Sequence, residues 1–226
     1  MDKKAFNTQV YNRRFEDKTV EWETKWRIAQ CLKLIGKNKK VLDIGCYDGF
    51  ITEKIKNYGN EVTGIELSKE GAKICRSRGI ECVEQDLESK FPFEDNSFDV
   101  VFGGEIIEHI FDTDKLLQEI KRILKPNGHI VLSTPNIAAL TRRLRLLLGI
   151  NPHIDIGLIS PSGKVSAGHI RYFTIKSMKE LLKRNGLRVT STKTDFILFN
   201  SLRLIKLGKL FPTLGWTFIV KAKPKI

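Results

Sequence analysis

The sequence predicts an α/β protein: a Rossmann-like, mostly parallel sheet with helices on both faces. Two observations predict it. From Lys39 onward, short β-rich runs alternate with segments of helical period. Strand, helix, strand, helix at this spacing gives a parallel sheet covered on both faces. One β-rich run, Val41–Ile44, leads directly into a glycine turn and then into a helix.

Taken in order, residues 1–38 read as an amphipathic helical cap, with Phe15, Val20, Trp22, Trp26, Ile28, Leu32 and Ile35 at apolar positions and Gly36 as the stop. Residues 39–226 read as one domain. Its core, 39–136, carries strands at 40–44, 61–66, 81–85, 98–103 and 129–134, with helices near 49–58, 69–78 and 113–124. Lys121, Arg122 and Lys125 suit the negative end of that last helix, and Pro126-Asn127-Gly128 is expected to turn the chain. A basic insertion, 137–172, breaks the alternation. Residues 173–226 resume it with a helix near 174–185 capped by Thr174, a stop at Gly186, a strand from Leu187 and a last strand over 215–220.

The chain has 226 residues, enough for one full α/β domain. Its 39 Lys and Arg against 26 Asp and Glu give a net charge of +13. That field favours nucleic acid, an acidic membrane surface or phosphorylated substrates; a solvated lysine surface is the plainer reading. Cys31, Cys46, Cys75 and Cys82 form no C-x-x-C pair, so reduced thiols are expected. The N-terminus lacks the apolar centre of a signal peptide, and no apolar run is long enough to span a bilayer. The expectation is a cytoplasmic protein.

The strongest local signal is Val41-Leu42-Asp43-Ile44-Gly45-Cys46-Tyr47-Asp48-Gly49. Glycine lets the backbone turn sharply and lets a ligand approach its amides. Glu66 ends the next strand, at about the spacing from which a carboxylate takes the hydroxyls of a ribose. Asp86 ends the third. Acidic groups at the carboxyl ends of three neighbouring parallel strands face one crevice. A nicotinamide site is disfavoured, because the G-x-G-x-x-G spacing is absent.

These residues carry a resemblance. With GIELS at 64–68, EQDLE at 84–88, FPFEDNSFDVVFGGEIIEHIFD at 91–112 and LLQEIKRILKPNGHIVLSTPN at 116–136, the loop resembles that of class I S-adenosylmethionine (SAM)-dependent methyltransferases. Within that class it is similar to the type 11 group that includes ubiquinone-biosynthesis O-methyltransferases. The resemblance covers about 39–136, with a weaker continuation at HIRYFT, 169–174. It implies seven strands in the order 3-2-1-4-5-7-6. It also implies that Asp43, Gly45, Cys46 and Gly49 hold the methionine end of SAM, Glu66 the ribose and Leu67 the adenine face. Asp86 and Leu87 would hold the adenine edge, and Glu105 would face the methionine and acceptor side. The family loop reads G-C-G-x-G, and Tyr47 replaces its middle glycine, so Tyr47 either alters the approach to the cofactor or shapes the acceptor pocket.

The chemistry would centre on Glu105-Ile106-Ile107-Glu108-His109. His109 could take a proton from an acceptor hydroxyl. Alternatively, Glu105, Glu108 and His109 could share a divalent metal that acidifies it, as the resemblance suggests. Packing of His109 against the next helix is the structural alternative. His169 and Arg171 are candidates for an acceptor wall. The Asn/Asp-Pro-Pro-Tyr expected after the fourth strand of a DNA-base N-methyltransferase is absent.

Within the insertion, 137–149 suits an amphipathic helix with Ile137, Leu140, Leu144, Leu147 and Leu148 on one face and Arg142, Arg143 and Arg145 off it. A second such stretch runs from Phe196 to Phe211. Together they could form a lid, dock on an anionic membrane or make a homodimer contact. The Arg cluster lacks interleaved aromatics for base stacking. The sequence therefore points to SAM-dependent O-methylation of a small or lipid-like molecule by a monomer or homodimer. RNA or protein methylation, and non-catalytic SAM binding, are the alternatives.

Overall fold

The computed structural model describes residues 23–152, 168–199 and 202–225. The expected helical cap over 1–22 and the 153–167 part of the insertion lie outside the described residues. Helix α1 (Glu23–Ile35) leads into β1 (Lys40–Ile44), α2 (Phe50–Asn57), β2 (Glu61–Glu66), α3 (Lys69–Ser77), β3 (Glu81–Glu84) and β4 (Phe98–Gly104). Then follow α4 (Thr113–Ile123), β5 (Leu124–Pro135), α5 (Leu140–Leu147), α6 (Ile175–Arg184) and β6 (Leu187–Thr194). The short strands β7 (Ile197–Phe199) and β8 (Leu202–Leu204), helix α7 (Ile205–Leu210) and β9 (Thr217–Pro224) complete the chain.

Seven strands form one sheet in the order β3-β2-β1-β4-β5-β9-β6. The first five are mutually parallel, and β9 runs antiparallel between β5 and β6. This is the expected order, with β9 in the seventh place; β7 and β8 pair separately as a hairpin.

Both faces of the sheet are apolar because both are covered. On one face Val41, Val100, Val131 and Ile219 pack under Cys31 and Ile35 of α1. On the other, Leu42, Ile44, Val101 and Leu132 meet α4 and α6 through Leu117, Ile120, Met178 and Leu182. The side-chain alternation of a strand serves two cores here instead of one core and solvent. The helices start where local chemistry lets them. Ser68 caps α3 by accepting from Gly71 N, Asp112 caps α4 by accepting from Lys115 N, and Thr174 with Ser177 forms a capping box on α6. At the other end of α1, the His129 ring and Lys221 Nζ both donate to the Leu34 carbonyl, at 3.0 Å each.

Four expectations need correction. Pro126-Asn127-Gly128 lies inside β5, not in a turn before it. Leu124 pairs with Phe98 and His129 with Val100, so three extra residues of β5 are accommodated as a bulge. The last strand is Thr217–Pro224, shifted toward the C-terminus because its register is set by pairing with both β5 and β6. Phe196–Phe211 is not one amphipathic stretch but a hairpin and a short helix. Finally, α5 buries one of its arginines and exposes leucines of its apolar face. Arg142 is buried, donating to the Asn136 carbonyl and stacking 4.3 Å from the Trp216 ring, while Leu147 and Leu148 are 83% and 73% exposed. A guanidinium that finds a carbonyl and an aromatic face can be buried more readily than helical periodicity alone implies.

Candidate active site

The chain lays down β1, β2 and β3 in one direction across the sheet and then returns to place β4 on the other side of β1. Loops leaving the carboxyl ends of β1 and β4 therefore part company and open a crevice. The candidate residues gather around it.

After β1 the backbone turns left-handed at Gly45 (φ 71°) and at Gly49 (φ 78°). A Cβ at Gly45 would lie 2.6 Å from Ile106 Cδ1, so the loop packs directly on the segment after β4. Tyr47 also has φ 54°, the left-handed backbone that a glycine would adopt more cheaply. The left-handed backbone is thus held with a side chain attached, at a cost of roughly 1–2 kcal/mol. Glu105, after β4, has φ 56°. Two strained non-glycine residues therefore stand on the two loops that flank the crevice, where strain held by the surrounding structure concentrates.

Glu66 is buried at the end of β2. Its carboxylate accepts from the Tyr47 amide and from the Ser68 amide, both at 2.8 Å. Each oxygen retains a further acceptor site for a ligand hydroxyl. Burial pushes its pKa above the usual carboxylate range, and the two amide bonds oppose the shift. Asp43 lies beneath the loop, accepting from Thr52 Oγ1 at 2.7 Å; burial raises its pKa to about 7. Asp86, half-buried after β3, accepts from the Glu88 amide at 2.9 Å, and Leu87 beside it is buried. Leu67 is partly exposed, between Glu66 and Ser68. Cys46 contributes to the loop through its backbone, its amide donating to Ile65 O, while its thiol turns into the core against Cys75 and Cys82.

After β4, Ile107–His109 forms a single 3-10 turn. Its side chains diverge. Glu105 turns toward Arg27 of α1, which stands 3.8 Å away and donates to Ser133 Oγ at 3.0 Å. Glu108 is 1% exposed and accepts from Thr134 Oγ1 at 2.9 Å; its Oε1 has no hydrogen-bond partner. Burial first, and the nearby Glu105 second, raise the Glu108 pKa to about 8. The His109 Nδ1 faces the Gly168 carbonyl at 3.2 Å, which can only accept, so Nδ1 is the donor. The rings of His109 and His169 meet edge to face at 5.0 Å.

Among the described residues, one carboxylate and two imidazoles therefore converge. Ligand atoms of Glu108, His109 and His169 lie within 4.8 Å of one another, and Glu105 is not in the group. The Ile170 and Arg171 amides both donate to the Glu108 carbonyl, tying 168–171 to the turn after β4. Arg171 spends its guanidinium on the Ile110 and Phe111 carbonyls, so it braces this wall.

Two contributors were not read from the sequence. Arg27 reaches the crevice from α1, which is distant in sequence. Arg78 clamps the glycine loop, donating to the Asp48 carbonyl at 2.8 Å and to the carboxylates of Asp48 and Glu53 at 3.1 Å each. Neither lies in a motif, and only their placement reveals them.

The sequence model of a family described as "Methyltransferase domain" matches residues 42–132. The chain is 32% identical over 104 residues to a ubiquinone biosynthesis O-methyltransferase of Proteus mirabilis, a match covering 43% of this chain and 42% of the relative. A protein of the same name from Alkalilimnicola ehrlichii is 31% identical over 115 residues, covering 48% and 46%. The chain thus spans less than half the length of the curated relatives it matches. Among solved structures, a SAM-dependent methyltransferase from Thermotoga maritima superposes with a TM-score of 0.67 at 20% identity, covering 95% of this chain and 99% of that one. A Burkholderia thailandensis 1,6-didemethyltoxoflavin-N1-methyltransferase, solved with S-adenosylhomocysteine bound, gives a TM-score of 0.67 at 15% identity, covering 99% and 87%. Residues 42–132 match the methyltransferase-domain model, and the sheet they begin is the fold that these SAM-dependent methyltransferases share.

Proposed function

We propose that the chain transfers a methyl group from SAM to an oxygen of a small or lipid-like molecule. The observation that carries this reading is the crevice at the β1/β4 divide. There a left-handed glycine loop stands beside Glu66, whose two oxygens are aimed by the Tyr47 and Ser68 amides. Glu66 would hold the ribose diol, Asp86 the adenine edge with Leu67 and Leu87 beside it, and the Gly45–Gly49 turn with Asp43 the amino-acid end. Bound there, SAM supplies an activated methyl on a sulfonium.

The protein's part is to position the acceptor and take one proton. With its Nδ1 proton directed at Gly168 O, His109 would present Nε2 as the base. Glu105 and Tyr47 would border the acceptor, with His169 on the wall that Arg171 braces. The Glu108–His109–His169 group also suits a divalent ion, and the unsatisfied Glu108 Oε1 fits a ligand's place.

A lipid-like acceptor is favoured by the exposed apolar side chains of α5, β8 and α7 and of Phe211. Leu146, Leu147, Leu148, Leu202, Leu210 and Phe211 are exposed there, among Arg143, Lys206 and Lys209. Such a face suits the border of an anionic membrane. The enzyme would then work at the cytoplasmic side of that membrane, as a monomer or homodimer.

The test is turnover of labelled SAM with phenolic, quinol and lipid acceptors, beside RNA and protein. Methylation of an oxygen acceptor alone supports the reading. Methylation of RNA or protein only would overturn it in favour of those classes. Calorimetric binding of S-adenosylhomocysteine with no turnover on any acceptor would leave a non-catalytic SAM-binding protein.

A further inference from the structure

Behind the glycine loop the fold assembles a group that no sequence motif announces. Cys46 comes from the loop, Cys75 from α3 and Cys82 from β3, and all three are buried. The Cys46 and Cys82 sulfurs are 3.5 Å apart and those of Cys46 and Cys75 3.7 Å, while all three lie within 4.8 Å of one another. A point equidistant from three sulfurs so spaced is at most about 2.4 Å from each, against a Zn–S bond of about 2.3 Å. The sulfurs therefore already stand where a three-thiolate ion site needs them, without movement of the backbone.

A second feature points the same way. Gly64 lies inside β2, where glycine weakens a strand and marks a close approach. A Cβ there would sit 2.5 Å from Cys46 Sγ and 3.6 Å from Cys82 Sγ. At Gly49 a Cβ would sit 2.8 Å from Cys75 Sγ. Two glycines thus make room for the sulfurs. Ala72 and Ile80, which pack with the three cysteines, are apolar, and the Asp43 and Glu66 carboxylates are near enough to interact with the thiols electrostatically.

We propose that Cys46, Cys75 and Cys82 form a binding site for one thiophilic d10 ion, Zn(II) or Cu(I). Soft sulfur ligands select such ions over magnesium or calcium. As the three metal–sulfur bonds form, the three thiols release their protons to solvent. With Zn(II) the site then carries one net negative charge. Arg76, whose Nη1 is 2.8 Å from the Cys82 carbonyl, is the cation placed to offset it. Because Cys46 stands between Gly45 and Tyr47, occupancy would stiffen the loop whose Tyr47 amide holds Glu66. Ion binding and nucleoside binding would thereby be coupled, a consequence that rests on the cofactor reading, whereas the site itself does not.

The experiment titrates the reduced, metal-free protein with Zn(II), and separately with Cu(I), against a chromophoric chelator. The expected result is one equivalent bound per chain for at least one of the two ions. Cys46→Ala, Cys75→Ala and Cys82→Ala should each weaken binding at least tenfold, and Cys31→Ala, which packs in a separate apolar cluster with Ile35 and Val41, should leave it unchanged. Thermal melting of each variant establishes that it is folded. Should the cluster variants not fold, Cd(II) added to the wild-type protein reports the site directly through its sulfur charge-transfer absorption. The proposal is overturned if neither ion reaches one equivalent, if affinity survives loss of the cluster thiols, or if Cd(II) gives no thiolate band. One bound ion with unchanged S-adenosylhomocysteine affinity would sink only the coupling; absent nucleoside binding with an intact ion site would count against the cofactor reading instead.

Discussion

The two sides of the molecule treat charge and apolar surface in opposite ways. The half built on β1 to β4 buries carboxylates: Asp43, Glu66 and Glu108 are each no more than 5% exposed. The half built from α5, the β7–β8 hairpin and α7 exposes leucines and phenylalanines, and no Asp or Glu occurs in 137–152 or 196–226. Burying a carboxylate is costly unless hydrogen bonds or a ligand compensate it. Exposing contiguous apolar side chains is costly unless something covers them. Each half therefore carries a cost that a binding partner would relieve: a polar nucleoside on one side, an amphipathic surface or acceptor on the other.

The largest expected effect is at the first half's narrowest contact. Gly45→Val should reduce S-adenosylhomocysteine affinity by about 100-fold or more, since it adds left-handed strain to a clash with Ile106. Calorimetry on a variant whose far strands remain folded measures it; affinity within a few-fold of wild type would break the assignment of the crevice. Next, His109→Ala should slow methyl transfer by about 100-fold to 10,000-fold, the usual range for a lost general base, while leaving cofactor affinity intact. Unchanged turnover would return His109 to a packing role.

A smaller effect is confined by the comparison to the carboxylate-burying half. The Asp43 pKa is raised to about 7 in the folded chain, from 3.8. Between those values the folded state holds a proton that the unfolded chain releases, so this group makes stability fall as pH rises through that window. Asp43→Asn should flatten that decline in thermal melts from about pH 4 to about pH 7, the range set by the two pKa values. A variant as pH-sensitive as the parent would show that Asp43 is not held protonated. On the other half, replacing Leu147 and Leu148 with Asp should abolish flotation with anionic vesicles without changing stability, because both side chains are exposed. Retained flotation would move the membrane contact elsewhere. The smallest change is expected for Tyr47→Gly. Relief of left-handed strain against the added freedom of the unfolded chain should leave stability within about 1 kcal/mol of wild type.

The first half was the more legible of the two. Its glycine turn, its strand-end acids and its alternation of elements are local patterns, and the sheet order followed from them by resemblance. The second half was misread where burial depended on partners remote in the chain. Periodicity gathers the leucines of α5 on one face, but it is Arg142, off that face, that Trp216 and the Asn136 carbonyl bury. The Phe196–Phe211 stretch reads as helical, yet it pairs with itself as a hairpin before a short helix begins. Among the candidate site residues, the sequence grouped Glu105, Glu108 and His109 by their spacing. A single 3-10 turn instead sends Glu105 toward Arg27 and brings His169 in from sixty residues away.

What the amino-acid order determined by itself is whatever depends on neighbours in the chain: strands of two-sided apolar character, capped helices, and a left-handed turn at the foot of a helix. Tertiary structure decided which distant side chains share a space. Arg27 under Glu105, Arg78 on the glycine loop and three cysteines behind it belong to that class. Their spacing along the chain carries no signal, because parallel strands bring residues together across whole crossover connections, and contact at that range is set by sheet order and packing.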